Sequence, residues 1–321
     1  MAIKIGIIGI GRIGFQHAER LYHHSDYELV GAYDIDEHRL EKAREVFDIT
    51  SYTDVNELIS LCDALAVCTP ADTHVLFARK VLMAGKHLFI EKPITESLSD
   101  AEMLYTLALE ANVIVQIGHI ERFNPVLKSV KDIVINPMFI ECHRLAPFDA
   151  RGTDVSVVLD LMIHDIDIVL QLVKNNIKSV TANGVAVISN MPDIANARIE
   201  FDNGCVANFT ASRISMQKMR KIRLFQRNAY LSLDLLNHET TLYHLTDEEH
   251  GIPMNFNDHT KYIHQENLAI EEYDAIKMEW QAFADSILIG TPVAVNIESG
   301  LMTMHVAQRI IDKIQKNGYF H

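Results

Sequence analysis

Between Asp154 and Lys174 the chain reads DVSVVLDLMIHDIDIVLQLVK, and Asp160, His164, Asp167 and Gln171 follow one another at spacings of four, three and four. That spacing stacks side chains on one face of a helix. The residues around the line, Val157 to Leu159, Leu161 to Ile163, Ile166 and Ile168 to Leu170 among them, are apolar, so the helix is predicted to be largely buried. A polar stripe in such a helix either finds hydrogen bonds inside the protein or lines a cavity, because an unpaired buried carboxylate is costly. Three chemistries fit the residue types: a structural hydrogen-bond network, a cavity wall that moves protons, or a metal site. The last lacks a second nearby histidine and is set aside, so no metal is expected. A second chemical triplet is Glu91-Lys92-Pro93, directly after a predicted strand. A lysine there can hydrogen-bond a hydroxyl or lower its pKa; the same triplet also reads as a solvated charged turn.

The elements that must position these groups change character along the chain. Residues 3–8 are an apolar strand that runs into Gly9-Ile10-Gly11-Arg12-Ile13-Gly14 and then into a helical pattern. Between a strand and a helix the three glycines serve in turn a tight turn, close backbone approach to a pyrophosphate, and close helix-to-strand packing. The helix N-terminus adds free N–H donors. The next strand, Tyr27 to Tyr33, ends at Asp34, twenty positions past Gly14. An acid there accepts hydrogen bonds from the ribose hydroxyls of a dinucleotide and repels a 2′-phosphate, so NAD is expected in preference to NADP, although Arg39 stands near enough to meet a phosphate. Strands at 64–68, 87–90 and 113–117 alternate with helices at 36–46, 54–61, 73–84 and 99–111, the grammar of a parallel sheet covered on both faces. Residues 1–120 are therefore predicted to form a doubly wound α/β Rossmann domain.

Beyond Asn124-Pro125 and one helix, strand follows strand: 138–145, 177–188, 195–201, 205–212, 222–226, 230–235 and 241–245, with the stripe helix packed against the sheet they form and helices resuming at 273–289 and 298–316. Residues 121–321 read as an α+β domain with a large, mostly antiparallel open sheet, and 247–262 as a long polar loop. The net charge of −14 disfavours nucleic acid and anionic membranes as partners. Cys62, Cys68, Cys142 and Cys205 show no metal-ligand spacing and read as buried thiols of a reducing compartment. With no signal-peptide pattern and no apolar run of about 20 residues, a cytoplasmic protein is expected.

Gly9, Gly11 and Gly14, Thr69-Pro70, Glu91-Lys92-Pro93, Gly118-His119, Arg122-Phe123-Asn124-Pro125, and Asp160 with His164 together resemble the Gfo/Idh/MocA family of sugar and inositol dehydrogenases, over the whole chain. The resemblance implies that Lys92, Asp160 and His164 line a cleft beside the nicotinamide ring and that the Lys92–Pro93 peptide is cis. It implies a cofactor set of Gly9, Gly11, Arg12, Ile13, Gly14, Asp34, Thr69, Pro70, His74, Glu91 and Lys92. Histidine, with an ordinary pKa of about 6.5, suits the role of general base. His164 is the expected base, Lys92 the group that steadies developing alkoxide charge, and Asp160 the residue that orients them.

The segments GHIERFNP, HRLAPFDARGTDVSVVLDLMIHDIDIVL and DIANARIEFDNGCVANFTASRIS are similar to dehydrogenases of UDP-linked amino sugars. They imply a nucleotide-sugar substrate, UDP-N-acetylglucosamine oxidised to its 3-keto form on the way to a 2,3-diamino sugar for lipid A. Arg122, Asn124, Arg144 and Arg151 then join Lys92, Asp160 and His164 in holding it. Arg213, Lys218, Arg220, Lys221 and Arg223 add cations suited to a diphosphate, or else guard strand edges. Two alternatives stand: a dehydrogenase of inositol or another free or nucleotide-linked sugar, and a non-catalytic NAD-binding redox sensor, against which the intact Lys92, Asp160 and His164 argue. The exposed face of the C-terminal sheet predicts a homodimer or homotetramer.

Overall fold

A computed structural model describes residues 2–131, 133, 136–149, 155–255 and 259–318. The chain divides into two compact units, Met1–Phe123 with Asp274–His305, and Asn124–Tyr273 with Val306–His321.

The first unit is built on β1 (Ile3–Ile8), α1 (Arg12–Tyr22), β2 (Tyr27–Tyr33), α2 (Glu37–Phe47), β3 (Thr50–Tyr52), α3 (Val55–Leu61), β4 (Ala64–Val67), α4 (Ala71–Met83), β5 (His87–Glu91), α5 (Leu98–Ala111) and β6 (Val115–Gly118). Its six strands are all parallel, in the order β3-β2-β1-β4-β5-β6. Every residue of β4 is buried, and β1 is buried except at Lys4, as a sheet covered on both faces requires. Asp36, Asp54 and Ser97 cap α2, α3 and α5 by accepting backbone N–H bonds, each worth about 1 kcal/mol. The strand order reverses between β1 and β4, so the crevice that holds ligands in such sheets lies at their carboxyl ends, after Ile8 and Val67.

In the second unit α6 (Pro125–Ser129) precedes β7 (Phe139–Leu145), and the stripe helix is α7 (Ile163–Val173) led by one wide π-turn, Val158–Met162. Eight strands follow: β8 (Ile177–Val185), β9 (Ile194–Phe201), β10 (Val206–Ser212), β11 (Met219–Gln226), β12 (Ala229–Asp234), β13 (Glu239–Thr246), β14 (Ile252–Asn255) and β15 (Thr260–Asn267). Together with β7 they form a nine-stranded sheet, β14-β15-β13-β12-β11-β7-β10-β9-β8, antiparallel except where β7 meets β10. One face buries Ile140, Phe209, Ile222, Leu224 and Leu231, each 0% exposed. The other carries a cross-strand aromatic ladder: Phe225 and Tyr230 stack at 4.7 Å, and Tyr230 and Tyr243 at 5.2 Å.

Two expectations are corrected here. The polar stretch 247–262 is not a plain loop, because it contains β14 and the start of β15. All four residues of β14 are exposed, so no apolar alternation marks the strand. The closing helices also do not belong wholly to a 121–321 domain. Helix α8 (Ala275–Leu288) and the first turns of α9 (Ile297–Lys316) fall in the first unit. The reason is aromatic packing: Trp280 and Phe283 are 0% exposed, and Trp280 sits 4.4 Å from the ring of Phe89 in β5. The Tyr27 hydroxyl donates to the Trp280 carbonyl at 2.8 Å. Among the described residues no helix is long and apolar enough to cross a membrane.

Trp280 is the only tryptophan, so its fluorescence reports directly on this core. Phe283→Ala should destabilise the first unit by about 3–5 kcal/mol, the usual cost of emptying a buried aromatic site. Urea unfolding followed by tryptophan emission should show the lowered midpoint; an unchanged midpoint would remove α8 from the core of this unit.

Candidate active site

In the first unit the glycine turn is shaped for close approach. Gly9 has φ +92°, and a Cβ there would lie 2.8 Å from the Thr69 nitrogen. A Cβ on Gly14 would strike the Gly9 carbonyl. Gly11 differs: the nearest atom to a Cβ there would be Arg39 Nη1 at 3.6 Å, so the backbone is open where a pyrophosphate must approach. Arg12 and Ile13, both exposed, begin α1 with N–H groups at its positive end. Asp34 joins the turn to β2, its carboxylate accepting from Ile10 N at 2.8 Å and from Asp36 N at 2.9 Å. Arg39 Nη1 stands 3.9 Å from the same carboxylate. The open Gly11 and the buried Thr69 Oγ1, which has no hydrogen-bond partner among the described residues, fit a dinucleotide.

The next two strand ends supply the remaining first-unit residues. Thr69-Pro70 leads from β4 into α4. His74, expected to touch cofactor, braces the two strand ends: it is 1% exposed, with Nδ1 2.8 Å from the Pro93 carbonyl and Nε2 2.8 Å from the Thr69 carbonyl. Burial pushes its pKa down, against the pull of those two carbonyls. The Lys92–Pro93 peptide is cis. Burial works against the Glu91 carboxylate, but the hydrogen bond from His17 Nε2 at 2.8 Å and the neighbouring Lys92 bring its pKa below the ordinary value. Arg122 gives Nη1 to the Ala294 carbonyl at 3.1 Å.

Sequence reasoning missed His17 and Glu279. His17 follows Gly14 by three positions on the buried face of α1, with Ala18 and Leu21, which is the one local signal it offers. Glu279, in α8, is 0% exposed, and neither carboxyl oxygen has a hydrogen-bond partner among the described residues. Burial, with the charge of Glu91 adding to it, pushes its pKa well above the ordinary 4.5.

In the second unit Asp160 lies in the π-turn and His164 in the first turn of α7, both partly exposed. The four-residue stripe does not share one environment: Asp167 is 1% exposed, whereas Gln171 faces solvent. Arg144 is not turned outward to a substrate. It is 3% exposed and gives Nε and Nη2 to Asp165 Oδ1 at 3.1 and 2.7 Å, tying β7 to α7 beside His164. Asn124 is 8% exposed and caps α6 through Val126 N, while its amide donates to the Leu235 carbonyl. Arg151 lies outside the described residues. Of the expected diphosphate cations, Lys221 pairs with Asp234 at 3.1 Å, Arg223 with Glu141 at 3.3 Å, and Arg213 donates to the Val155 carbonyl. Among the described residues no group of three or more His, Cys, Asp or Glu side chains can hold a metal ion.

A parallel sheet with this glycine turn, Asp34 after β2 and a lysine after β5 defines a dinucleotide-binding oxidoreductase. Residues 3–119 match the model of an oxidoreductase family with an NAD-binding Rossmann fold, and residues 142–231 match the GFO/IDH/MocA C-terminal domain. The chain belongs to the Gfo/Idh/MocA oxidoreductase family. It is 31% identical over 310 residues to the UDP-N-acetylglucosamine 3-dehydrogenase of Acidithiobacillus ferrooxidans, covering 96% of each chain. It is 28% identical to the myo-inositol 2-dehydrogenase of Thermotoga maritima, over 94% of this chain and 93% of that one. A solved structure of the Acidithiobacillus enzyme superposes with a TM-score of 0.92 at 29% identity, covering 100% of this chain and 99% of the other.

Glu279 makes a pH-dependent prediction. The native state keeps its proton, while the unfolded chain releases it above about pH 4.5. The unfolded state then binds fewer protons, so this residue makes stability fall as pH rises, by up to about 1.4 kcal/mol per unit, until its native pKa is passed. Glu279→Gln abolishes that contribution. The difference in Tm between variant and wild type should therefore move in the variant's favour from pH 5 to pH 8; a difference independent of pH would mean that Glu279 is ionised in the native protein.

Proposed function

We propose that this protein is an NAD-dependent dehydrogenase that oxidises a secondary hydroxyl of a nucleotide-linked amino sugar, with UDP-N-acetylglucosamine and its 3-hydroxyl as the first candidate. The observation that carries this reading is likeness over the whole length, both sheets included, to an enzyme of that name. Lipid A synthesis is the corresponding biological setting, the cytoplasm the compartment, and a homodimer or homotetramer joined through the second sheet the assembly. A second reading, oxidation of inositol or another free sugar, is favoured by the near full-length likeness to the Thermotoga enzyme.

The chemistry asks little of each residue. The glycine turn and Asp34 would hold NAD, which would supply the hydride acceptor for the carbinol carbon. His164 takes the hydroxyl proton as that hydride leaves. Lys92 offsets the negative charge developing on oxygen, and Asp160 orients the base. Arg144 acts one step removed, holding α7 through Asp165, so that truncating it displaces His164 rather than freeing a phosphate. The proposed preference for NAD over NADP rests on Asp34, whose carboxylate, held by Ile10 N and Asp36 N, would meet the adenosine ribose.

His164→Ala should lower kcat by about 10²- to 10⁴-fold, the usual contribution of a general base, with NADH binding retained. Near-wild-type kcat in that variant would discard His164 as the base. In a panel of UDP-N-acetylglucosamine, myo-inositol, scyllo-inositol and glucose 6-phosphate followed by NADH absorbance, turnover of the UDP-sugar alone supports the first reading. Turnover of free polyols alone supports the second, and turnover of none supports a redox sensor. Asp34→Ala should shift the NAD to NADP ratio of kcat/KM toward NADP by about ten-fold, on the order of one charge-assisted hydrogen bond; an unchanged ratio would separate Asp34 from cofactor choice.

A further inference from the structure

His17 has no part in the reaction set out above, yet it is 1% exposed and both of its ring nitrogens are engaged. Trp280 Nε1 lies 3.0 Å from Nδ1. An indole N–H only donates, so Nδ1 carries the lone pair and the ring hydrogen sits on Nε2. That hydrogen is donated to Glu91 Oε1 at 2.8 Å, and the other carboxylate oxygen accepts the Lys92 backbone N–H at 3.1 Å. Trp280 thus donates to His17, and His17 and the Lys92 backbone N–H both donate to the Glu91 carboxylate, one connected set of hydrogen bonds within the first unit.

The surroundings leave the set little freedom. The His17 ring meets Phe89 edge-on at 5.1 Å and Trp280 at 5.4 Å. A Cβ added at Gly118, on the neighbouring strand, would lie 2.9 Å from Glu91 Oε1, so β6 closes over the carboxylate. His17 also belongs to α1, whose N-terminus is the glycine turn. One rigid helix therefore connects the seat expected for a pyrophosphate with the backbone that carries Lys92.

We infer that His17 is a positioning residue for the dehydrogenase reaction: by holding the Glu91 carboxylate in place it sets the backbone at Lys92 relative to the glycine turn. This role rests on the reading of Lys92 given under the proposed function. It requires a donor at the Nε2 position, which glutamine can supply and asparagine, one methylene shorter, cannot.

The test compares His17→Gln, His17→Asn and His17→Ala, each confirmed as folded by the emission of Trp280, in steady-state oxidation of UDP-N-acetylglucosamine and in fluorescence titration with NADH. His17→Asn and His17→Ala should lose about 10- to 100-fold in kcat, the scale of a misplacement near one ångström, while KM for the sugar and Kd for NADH change less than about three-fold. His17→Gln should stay within about three-fold of wild type. Full kcat in His17→Ala, or a glutamine variant as slow as the alanine variant, overturns the role. Should the wild type oxidise no sugar, the dehydrogenase reading fails by itself. Nitrogen-15 spectra of ring-labelled protein then decide this one: hydrogen on Nε2 and a bare Nδ1 support it, and the opposite tautomer overturns it.

Discussion

The contact on which the first unit depends is between two residues without side chains. Gly14 in α1 approaches the Gly9 carbonyl so closely that a Cβ would strike it. Because nothing separates them, α1 lies directly over the end of β1, and its register against the sheet is set to within a fraction of a turn. The buried face of the helix follows from that register: Ala18 and Leu21 go into the core and His17 points toward β5. Any side chain at Gly14 would lift the helix and move every one of these groups together.

The second unit solves its positioning problem with charge. Arg144 and Asp165 are both nearly sealed from water, and taking two charges out of solvent costs several kcal/mol before their attraction offsets it. Two donors from one guanidinium converge on a single carboxylate oxygen, a geometry that lysine cannot copy. Hydrophobic packing would hold α7 as firmly but with less control over its rotation. Here that rotation places His164 beside the anchored residue rather than on it, in partial contact with solvent.

What could be read from the chain was whatever repeats locally. The apolar runs, the glycine spacing, the acid after β2 and the change from alternating to consecutive strands all live within windows of ten or twenty residues, and they delivered the parallel sheet and the larger antiparallel one. The failures share a different origin. Strand β3 has only three residues, too few to show a period. Helix α8 gives no local sign of which core it will join, since its partner Phe89 lies nearly two hundred positions away. A still longer separation hid the bond from Trp280 to His17. Arg144 looked like a free cation because its partner, Asp165, stood just off the polar stripe that drew attention to Asp160 and His164.

Both rims of the nine-stranded sheet also bear on how the protein behaves when crowded. At one rim β14 carries Pro253, which has no N–H to offer an incoming strand. At the other, the register of β8 slips between Ile177 and Ser179, and the residue skipped is the exposed Lys178. A proline and a bulged lysine are two ways of spoiling an edge as a template. A sheet this wide would otherwise be a standing risk for runaway strand addition and fibrous aggregation. With both rims blunted, strand addition at either edge is disfavoured.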